Sequence, residues 1–530
     1  MNLRLTWVQP EDLVGHELRQ AREDGRDASA LAARWAAAGG PPAPGPAGAS
    51  ETPRPDLRDL ATELLDALAT LPTPLAEREP TRLPAIQALT TPRTTPPPDP
   101  DGTGGSATAV GNRPAGREGW AQPPLPGPGL PHRAHQAPPA PPLPGTDQPR
   151  VAPSPQGLGG LGGLGELGGL GGLGGEAPDG LLHRLHAAWL GRAVGCLLGK
   201  PVEKLPLPAI RALARATGNW PLSTWFTARG VPPELLAAHP WNRRSAATSL
   251  AENIDGMPED DDLNYPLLNL LLLQRHGRDF TTTDVARLWL DELPAGRTFT
   301  AERVAYRNLL DGVEPPLTAV HRNPFREWIG AQIRADVHGW TRPGDPVGAA
   351  GQAYRDAVLT HTANGVYGAM FVAATLATAA SGTADVHQSL AAGLGVVPPR
   401  SRLAEAVRRG IGLAHEATDF DAVVDRLHAE LGGYHWVHAV PNAALLAAAL
   451  THADGDFSRS VCAAVSGGWD TDSNGATAGS VAGLLAGHPD RLPEHWTSPL
   501  KNRLSTSVPS FDGIGFDTLA ELTHLEAVRP

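Results

Sequence analysis

Residues 466–480 read SGGWDTDSNGATAGS. Asp470 and Asp472 stand two positions apart behind a glycine pair, with hydroxyl side chains between and after them, and small residues dominate 475–487. The small residues predict a tightly packed helix, and clustered carboxylates and hydroxyls suit a hard cation such as Mg²⁺, Mn²⁺ or Ca²⁺. We therefore expect a metal-binding turn that leads directly into a central helix of the fold.

A second acidic cluster, EDDD at residues 259–262, lies far upstream and precedes an apolar helical segment. If the two clusters meet, six carboxylates converge, and such a group repels itself unless cations or protons bind. An EF-hand is one alternative for the Asp470 turn, but its twelfth position requires an acid and is occupied by Val481. A solvated acidic turn is the other alternative, although it does not explain the apolar and small-residue segments that border each cluster.

The composition of the chain argues against several classes of protein. The chain has 530 residues, which is too long for one ordinary domain, and its formal net charge of −12 argues against general nucleic-acid binding. Cys196 and Cys462 are its two cysteines, so a disulfide framework is not expected. The N-terminus lacks a signal-peptide pattern, and the weakly polar run 365–380 is short for a membrane span. We expect a cytoplasmic protein that does not associate with membranes.

The chain divides into three parts by composition. Residues 1–88 show two helical patterns and are expected to form a small helical region of unknown role that binds a protein partner or serves as a structural appendage. Residues 89–178 are rich in proline and glycine and predict a disordered linker, whose Gly-Leu repeats match nucleotide-binding patterns only by repetition. Residues 179–530 are expected to form the catalytic domain.

The catalytic part opens with a helix that carries Gly191, Gly195 and Gly199 at every fourth position. This spacing places the three glycines on one face and lets another backbone approach closely. The segment 195–200 resembles a phosphate-binding loop, but it is one residue short and Pro201 follows it, so we reject that function. Glu203 stands in the loop after the helix, where it is either a surface acid or part of a site.

Four segments, in this order, resemble the ADP-ribosylglycohydrolase family: 191–203, the acidic cluster 259–262, HTANGVYGAM at 361–370, and GWDTDS at 468–473. The chain departs from the family's Thr-Asp-Asp-Thr motif because Glu259 and Asp262 replace the threonines, and Cys196 stands where many members carry aspartate. The acidic form of this first motif is similar to a bacterial subgroup. Each of the four segments alone predicts little, but the four together become specific through their common order.

The resemblance implies an all-α fold, a compact orthogonal multi-helix bundle with a central di-metal cleft. Helical periodicity agrees with this, predicting helices near the following residues: 183–198, 206–217, 263–276, 283–292, 301–310, 347–379, 401–416, 421–431, 440–452, 457–465 and 474–487. The 347–379 segment must break near 361–365, where glycine and polar residues interrupt it.

The resemblance also implies the chemistry. Two Mg²⁺ ions, or Mn²⁺ as the alternative, would assist hydrolysis of the glycosidic bond that joins ADP-ribose to a protein or small-molecule acceptor, reversing ADP-ribosylation. The implied metal ligands are Glu259, Asp260, Asp261, Asp470, Asp472 and Ser473. Glu203 and Asp261 are the implied catalytic residues, and His361, Asn364 and Gly468 are expected to contact substrate.

A second class of function stays open. A non-catalytic protein of the same fold would bind ADP-ribose or act structurally. The paired aspartates at 470 and 472 favour the enzyme, because a structural copy has no need of a charged cleft. The altered residues 259 and 262 favour the alternative, and assays for ADP-ribose release distinguish the two.

Overall fold

The computed structural model describes residues 8–42, 47–50, 52–90 and 180–529. These residues belong to one compact unit. Apart from residues 89 and 90, which end a helix, the predicted linker 89–178 lies outside the described residues. The described chain contains α-helices, short 3-10 helices and three isolated β-bridges, with no β-strand among those residues. The prediction of an all-α fold is confirmed.

The helices of the N-terminal part are α1 (Pro10–Glu23), α2 (Ser29–Ala37), α3 (Arg58–Ala69) and α4 (Leu83–Thr90). Those of the larger part are α5 (Gly180–Gly199), α6 (Leu207–Ala216), α7 (Pro233–Ala238), α8 (Ala246–Ser249), α9 (Asp261–His276), α10 (Thr282–Glu292), α11 (Thr300–Leu310), α12 (Asp336–Trp340), α13 (Pro346–Ala357), α14 (Ala363–Ala380), α15 (Val386–Gly395), α16 (Arg402–Glu416), α17 (Phe420–Leu431), α18 (Ala439–Ala453), α19 (Phe457–Ser466), α20 (Thr471–Ala486), α21 (Glu494–Thr497) and α22 (Phe516–Val528).

Local sequence signals account for several helix ends. α1 begins with proline at its first position and with a capping box formed by Gln9 and Asp12. α9 begins after Asp260, whose carboxylate accepts a hydrogen bond from the backbone N–H of Asp262. α20 ends at Gly487, which has a φ of +81° and terminates the helix as a left-handed residue.

The predicted helix 347–379 is two helices, α13 and α14, separated by residues 358–362. Among the described helices, α14 is the one long and apolar enough to span a membrane, and 94% of its apolar window is buried within the protein. Its composition is therefore that of a core helix, packed between α13, α15 and α12.

Glycines join α5 to α20 along the centre of the bundle. A Cβ atom added to Gly195 would lie 1.8 Å from the carbonyl oxygen of Gly475, and one added to Gly191 would lie 2.1 Å from that of Gly479. At Gly199 the nearest atom is the carbonyl oxygen of Thr471, at 2.3 Å. Side chains larger than hydrogen do not fit these positions, so the predicted close approach of two backbones is confirmed, and it fixes α5 against the start of α20.

The N-terminal part is attached to the larger part by buried ion pairs. Arg326 contacts Glu17 at 2.8 Å and Asp24 at 3.1 Å. Arg402 contacts Glu79 at 2.7 Å and also pairs with Glu327 of the larger part at 2.8 Å. Both guanidinium groups belong to the larger part and form ion pairs with carboxylates of residues 8–90. The two parts therefore share one network of ion pairs.

Candidate functional site

The first half of the site is the turn before α20. Gly468 and Trp469 both have positive φ, of +77° and +53°. The Trp469 ring stacks on His428 with centroids 4.0 Å apart, and a 2.8 Å hydrogen bond joins His428 Nε2 to the carbonyl oxygen of Gly467. The turn ends at Asp470, and Asp472 lies in the first turn of α20. Since α20 begins at Thr471, a helix occupies the place of an EF-hand loop.

An asparagine of α18 secures this helix start. Asn442 Oδ1 accepts hydrogen bonds from the backbone N–H of Asp470 at 3.1 Å and from Asn474 Nδ2 at 2.7 Å. Asn442 Nδ2 in turn donates to the carbonyl oxygens of Trp436 and His438, each at 2.8 Å. The Asp470 backbone is therefore held by a fully buried amide network.

The second half of the site is the start of α9. Arg192 of α5 is fully buried, and its guanidinium contacts Asp262 Oδ1 at 3.2 Å and Asp336 Oδ2 at 2.8 Å. The hydroxyl of Ser473 donates to Asp262 Oδ2 at 3.4 Å. This contact joins the α9 and α20 clusters, so the structure brings the two sequence motifs together.

The carboxylates repel one another in this buried position. Burial, followed by the charges of Asp260, Asp472 and Glu203, raises the pKa of Asp261 well above its ordinary value. Burial and the neighbouring Asp472 likewise raise the pKa of Asp470. For Asp472, burial and then the Glu203 and Asp260 charges raise the pKa to about 7. Such a group favours any species that brings positive charge to it.

Three oxygen-bearing side chains suit a divalent cation. Within the described residues, no arginine, lysine or histidine lies at ion-pair distance from Asp261, Asp470 or Asp472. Their mutual repulsion and hard oxygen donors match the ligand preference of Mg²⁺ or Mn²⁺. Among the described residues, the ligand atoms of Cys196, Asp260 and Asp262 lie within 4.8 Å of one another and form a group that could hold a metal ion. The acids at the start of α9 therefore fit the cation that the resemblance implies.

Glu203 lies at the border of this carboxylate cluster. Its side chain is 18% exposed, with Oε1 2.7 Å from Lys204 Nζ and Oε2 accepting a 2.7 Å hydrogen bond from Asn242 Nδ2. Its charge contributes to the raised pKa of Asp470 and Asp472, which places it within electrostatic reach of them. A carboxylate that is partly exposed and oriented by two partners can serve a substrate that enters from solvent.

Sequence reasoning missed two cations, Arg192 and Lys200. Lys200 is buried, and its ammonium contacts Asp260 Oδ2 and lies 3.4 Å from the carbonyl oxygen of Glu259. Cys196 of α5 lies between Arg192 and Lys200 in sequence and places its sulfur 4.0 Å from Asp262 Oδ2. The signal was present: polar or charged residues recur every fourth position in an otherwise apolar, glycine-rich helix.

Glu259, a predicted metal ligand, has hydrogen-bond and ion-pair partners at the start of α9. Its Oε1 accepts hydrogen bonds from Ser507 Oγ at 2.6 Å and Asn264 Nδ2 at 2.9 Å, and its Oε2 lies 2.9 Å from Arg297 Nη1. These partners engage both oxygens and hold Glu259 at the start of α9 beside residue 507, and its metal ligation stays a prediction.

The structure places the predicted substrate contacts His361 and Asn364 in the protein interior. His361 is fully buried, with Nδ1 2.6 Å from Thr360 Oγ1, and burial lowers its pKa well below the ordinary value. Asn364 Nδ2 donates to Glu79 and Glu327, each at 2.8 Å. Both side chains have partners inside the core and act in packing. Gly468, in contrast, lies at the turn that leads to Asp470.

The chain is similar to one protein family and to a solved structure. The family model described as ADP-ribosylglycohydrolase matches residues 177–528. A solved structure described as an ADP-ribosylglycohydrolase-related protein complex is similar at 21% identity and a TM-score of 0.41, covering 66% of this chain and 98% of that chain. The search of curated proteins found no match.

Proposed function

This chain belongs to the ADP-ribosylglycohydrolase family, and we propose that it hydrolyses the glycosidic bond between ADP-ribose and a protein or small-molecule acceptor. The family is one of hydrolases that act on ADP-ribose conjugates. The observation that supports the proposal for this chain is the contact between α9 and α20, where Ser473 Oγ lies 3.4 Å from Asp262 Oδ2.

The residues of the cluster suit this reaction in two ways. As the bond from the anomeric carbon to the acceptor breaks, positive charge develops on the ribose, and nearby carboxylates stabilise it. A divalent cation held by Asp261, Asp470 and Asp472 would supply Lewis acidity. Mg²⁺ is the proposed ion, because the donors are hard oxygens.

Proton transfer is assigned to two carboxylates. Glu203 is positioned by Asn242 and Lys204, and it donates a proton to the acceptor atom as that atom departs. Asp261 accepts a proton from the attacking water, whose oxygen forms the new bond to the anomeric carbon. The products are free ADP-ribose and the protonated acceptor, so the hydrolysis is balanced by one water.

The decisive experiment measures release of ADP-ribose from conjugates to arginine, to serine, to a nucleic-acid end and to small metabolites, with Mg²⁺ and after chelation. We expect one linkage to be cleaved by the wild type, and Asp472→Ala to abolish both turnover and its Mg²⁺ dependence. Tight binding of ADP-ribose without release from any linkage would instead support a non-catalytic ADP-ribose-binding protein.

A further inference from the structure

The turn before α20 has a backbone conformation that one of its residues does not favour. Gly468 and Trp469 follow one another with φ of +77° and +53°. Glycine adopts this left-handed conformation without steric cost, but a bulky residue such as tryptophan does not. A non-glycine residue keeps such a conformation only where its surroundings impose it. Because Trp469 is bonded directly to Asp470, release of this conformation would move the Asp470 carboxylate.

His428 of α17 makes two contacts that impose this conformation. Its ring stacks on the Trp469 indole, with centroids 4.0 Å apart and planes 8° apart. Its Nε2 lies 2.8 Å from the carbonyl oxygen of Gly467. A carbonyl oxygen only accepts hydrogen bonds, so Nε2 carries the hydrogen and donates it. His428 therefore contacts the residues on both sides of Gly468.

Neighbouring helices enclose the same turn. A Cβ atom added to Gly468 would lie 3.7 Å from His428 Nε2, and at the same distance from two side-chain atoms of α6. After the turn, Asn442 Oδ1 accepts a hydrogen bond from the Asp470 backbone N–H at 3.1 Å. The turn is thus held at residues 467 and 469 by His428 and at residue 470 by Asn442.

We propose that His428 is a positioning residue of the hydrolytic site, which holds Trp469 in its left-handed conformation and so sets the direction in which Asp470 and Asp472 enter the site. This role rests on the proposed function for the identity of the site. His428 acts through Trp469 and the Gly467 carbonyl, and it contributes neither a ligand nor a proton to the reaction.

Three substitutions separate the two contacts of His428. His428→Phe keeps a ring and removes the donor, His428→Gln keeps a donor at similar reach and removes the ring, and His428→Ala removes both. The first measurement is hydrogen exchange of the full-length chain, in peptides that cover residues 467–474 and in peptides of α14. His428→Ala should speed exchange in the turn by about tenfold or more, since a buried carbonyl that loses its donor opens more often by about that factor. Exchange in α14 should not change.

Turnover is the second measurement. On the conjugate that the wild type cleaves, kcat of His428→Ala should fall by about 10–100-fold, because misplacement of reacting groups by about 1 Å has effects of this size. His428→Phe and His428→Gln should each recover part of the loss. His452→Ala is the matched control, since His452 is also a half-buried histidine and its ring lies 5.2 Å from that of Phe420, outside the turn. It should change neither exchange in the turn nor kcat.

Exchange in the turn of His428→Ala that equals the wild type, or that rises as much in α14 as in the turn, would overturn the proposal. An unchanged kcat in a variant whose turn exchanges faster would overturn it as well. If His428→Ala does not fold, His428→Phe and His428→Gln decide by the same criteria. A wild type that cleaves no conjugate would refute the proposed function, whereas the exchange data would still show whether His428 holds the turn.

Discussion

At the scale of single residues, the site assigns different tasks to carboxylates that look alike in sequence. Asp260 and Asp262 are paired with Lys200 and Arg192. Asp472 forms no ion pair with a described residue, whereas Glu203 is oriented by a lysine and an asparagine at the border. Removing Asp472 should therefore affect ion binding, whereas removing Glu203 should affect proton transfer.

Glu203→Gln keeps the size of the side chain and removes its ionisation. If Glu203 transfers a proton, kcat should fall by roughly 10²–10⁴-fold. ADP-ribose affinity should change little, because Glu203 contributes no ligand to the proposed ion. Steady-state kinetics on the cleaved conjugate, beside calorimetric titration with ADP-ribose, separates the two effects. A full rate in Glu203→Gln would remove it from the catalytic assignment.

Glu23 gives the molecule a pH dependence that does not involve the site. Burial, partly opposed by Arg19 and Arg402, raises its pKa from 4.5 to about 7. Its Oε2 lies 3.5 Å from His438 Nε2, and burial keeps the pKa of that histidine well below its ordinary value. Between the two Glu23 pKa values the folded chain binds more protons than the unfolded chain, so the free energy of unfolding falls as pH rises through that window.

Glu23→Gln should remove this contribution. Relative to the wild type, the variant should gain up to about 3 kcal/mol of stability between about pH 5 and about pH 8. Urea unfolding at both pH values measures the difference. A constant difference across the range would show that Glu23 does not titrate with folding.

At the scale of helices, the contact between α5 and α20 sets the geometry of the site. Gly191, Gly195 and Gly199 form a glycine seam, in which each glycine faces a backbone carbonyl of α20. This seam brings Lys200, which follows α5, close to the start of α20, which carries Asp472. Packing at this distance leaves no room for a methyl group, and displacement of either helix would separate the two halves of the site.

Gly195→Ala should test the seam. Its new Cβ would lie 1.8 Å from the Gly475 carbonyl oxygen, and overpacking of this kind costs about 1–3 kcal/mol or more. Gly412 in α16 is the control, because its added Cβ would meet no heavy atom within 4 Å. Gly412→Ala should stabilise by up to about 1 kcal/mol through helix propensity. Equal effects of the two substitutions in urea unfolding would contradict the seam.

At the scale of the whole molecule, residues 8–90 complete the charge balance of the larger part. Arg326 and Arg402 are both largely buried, and carboxylates of the N-terminal part supply several of their partners. The family model begins at residue 177, so this N-terminal part lies outside the matched region although it packs against it. Its attachment is electrostatic as well as apolar, and it should be sensitive to single charges.

Glu79→Ala should show this sensitivity. The Glu79 side chain is 2% exposed and pairs with Arg402 at 2.7 Å, and breaking a buried pair from one side costs about 3–5 kcal/mol. Urea unfolding and hydrogen exchange in α1 and α3 should both report weaker attachment. The exposed Glu77 is the matched control, and Glu77→Ala should change stability by less than about 0.5 kcal/mol. Equal stability of the two variants would mean that the network does not hold the N-terminal part.

What the sequence by itself determined is local. Helical periodicity located most of the long helices of the larger part, but it missed α7, α8, α12, α15, α21 and α22. The four-residue spacing of Gly191, Gly195 and Gly199 predicted a close backbone contact. The order of the four motif segments indicated the family, and the two acidic motifs among them indicated the cluster. These signals are short-range, because caps, turns and periodic faces depend on neighbours within a few positions.

Only the tertiary structure decided which polar groups meet. Lys200 and Asp260 lie 60 residues apart, and Asn364 and Glu79 lie 285 apart, so nothing local distinguishes a buried partner from a ligand or a substrate contact. Glu259 contacts Ser507 and Arg297, and Asn364 is buried in the core, because the packing of distant helices placed donors and acceptors there. A buried polar side chain takes the partner that folding brings within reach, since leaving it unpaired is costly.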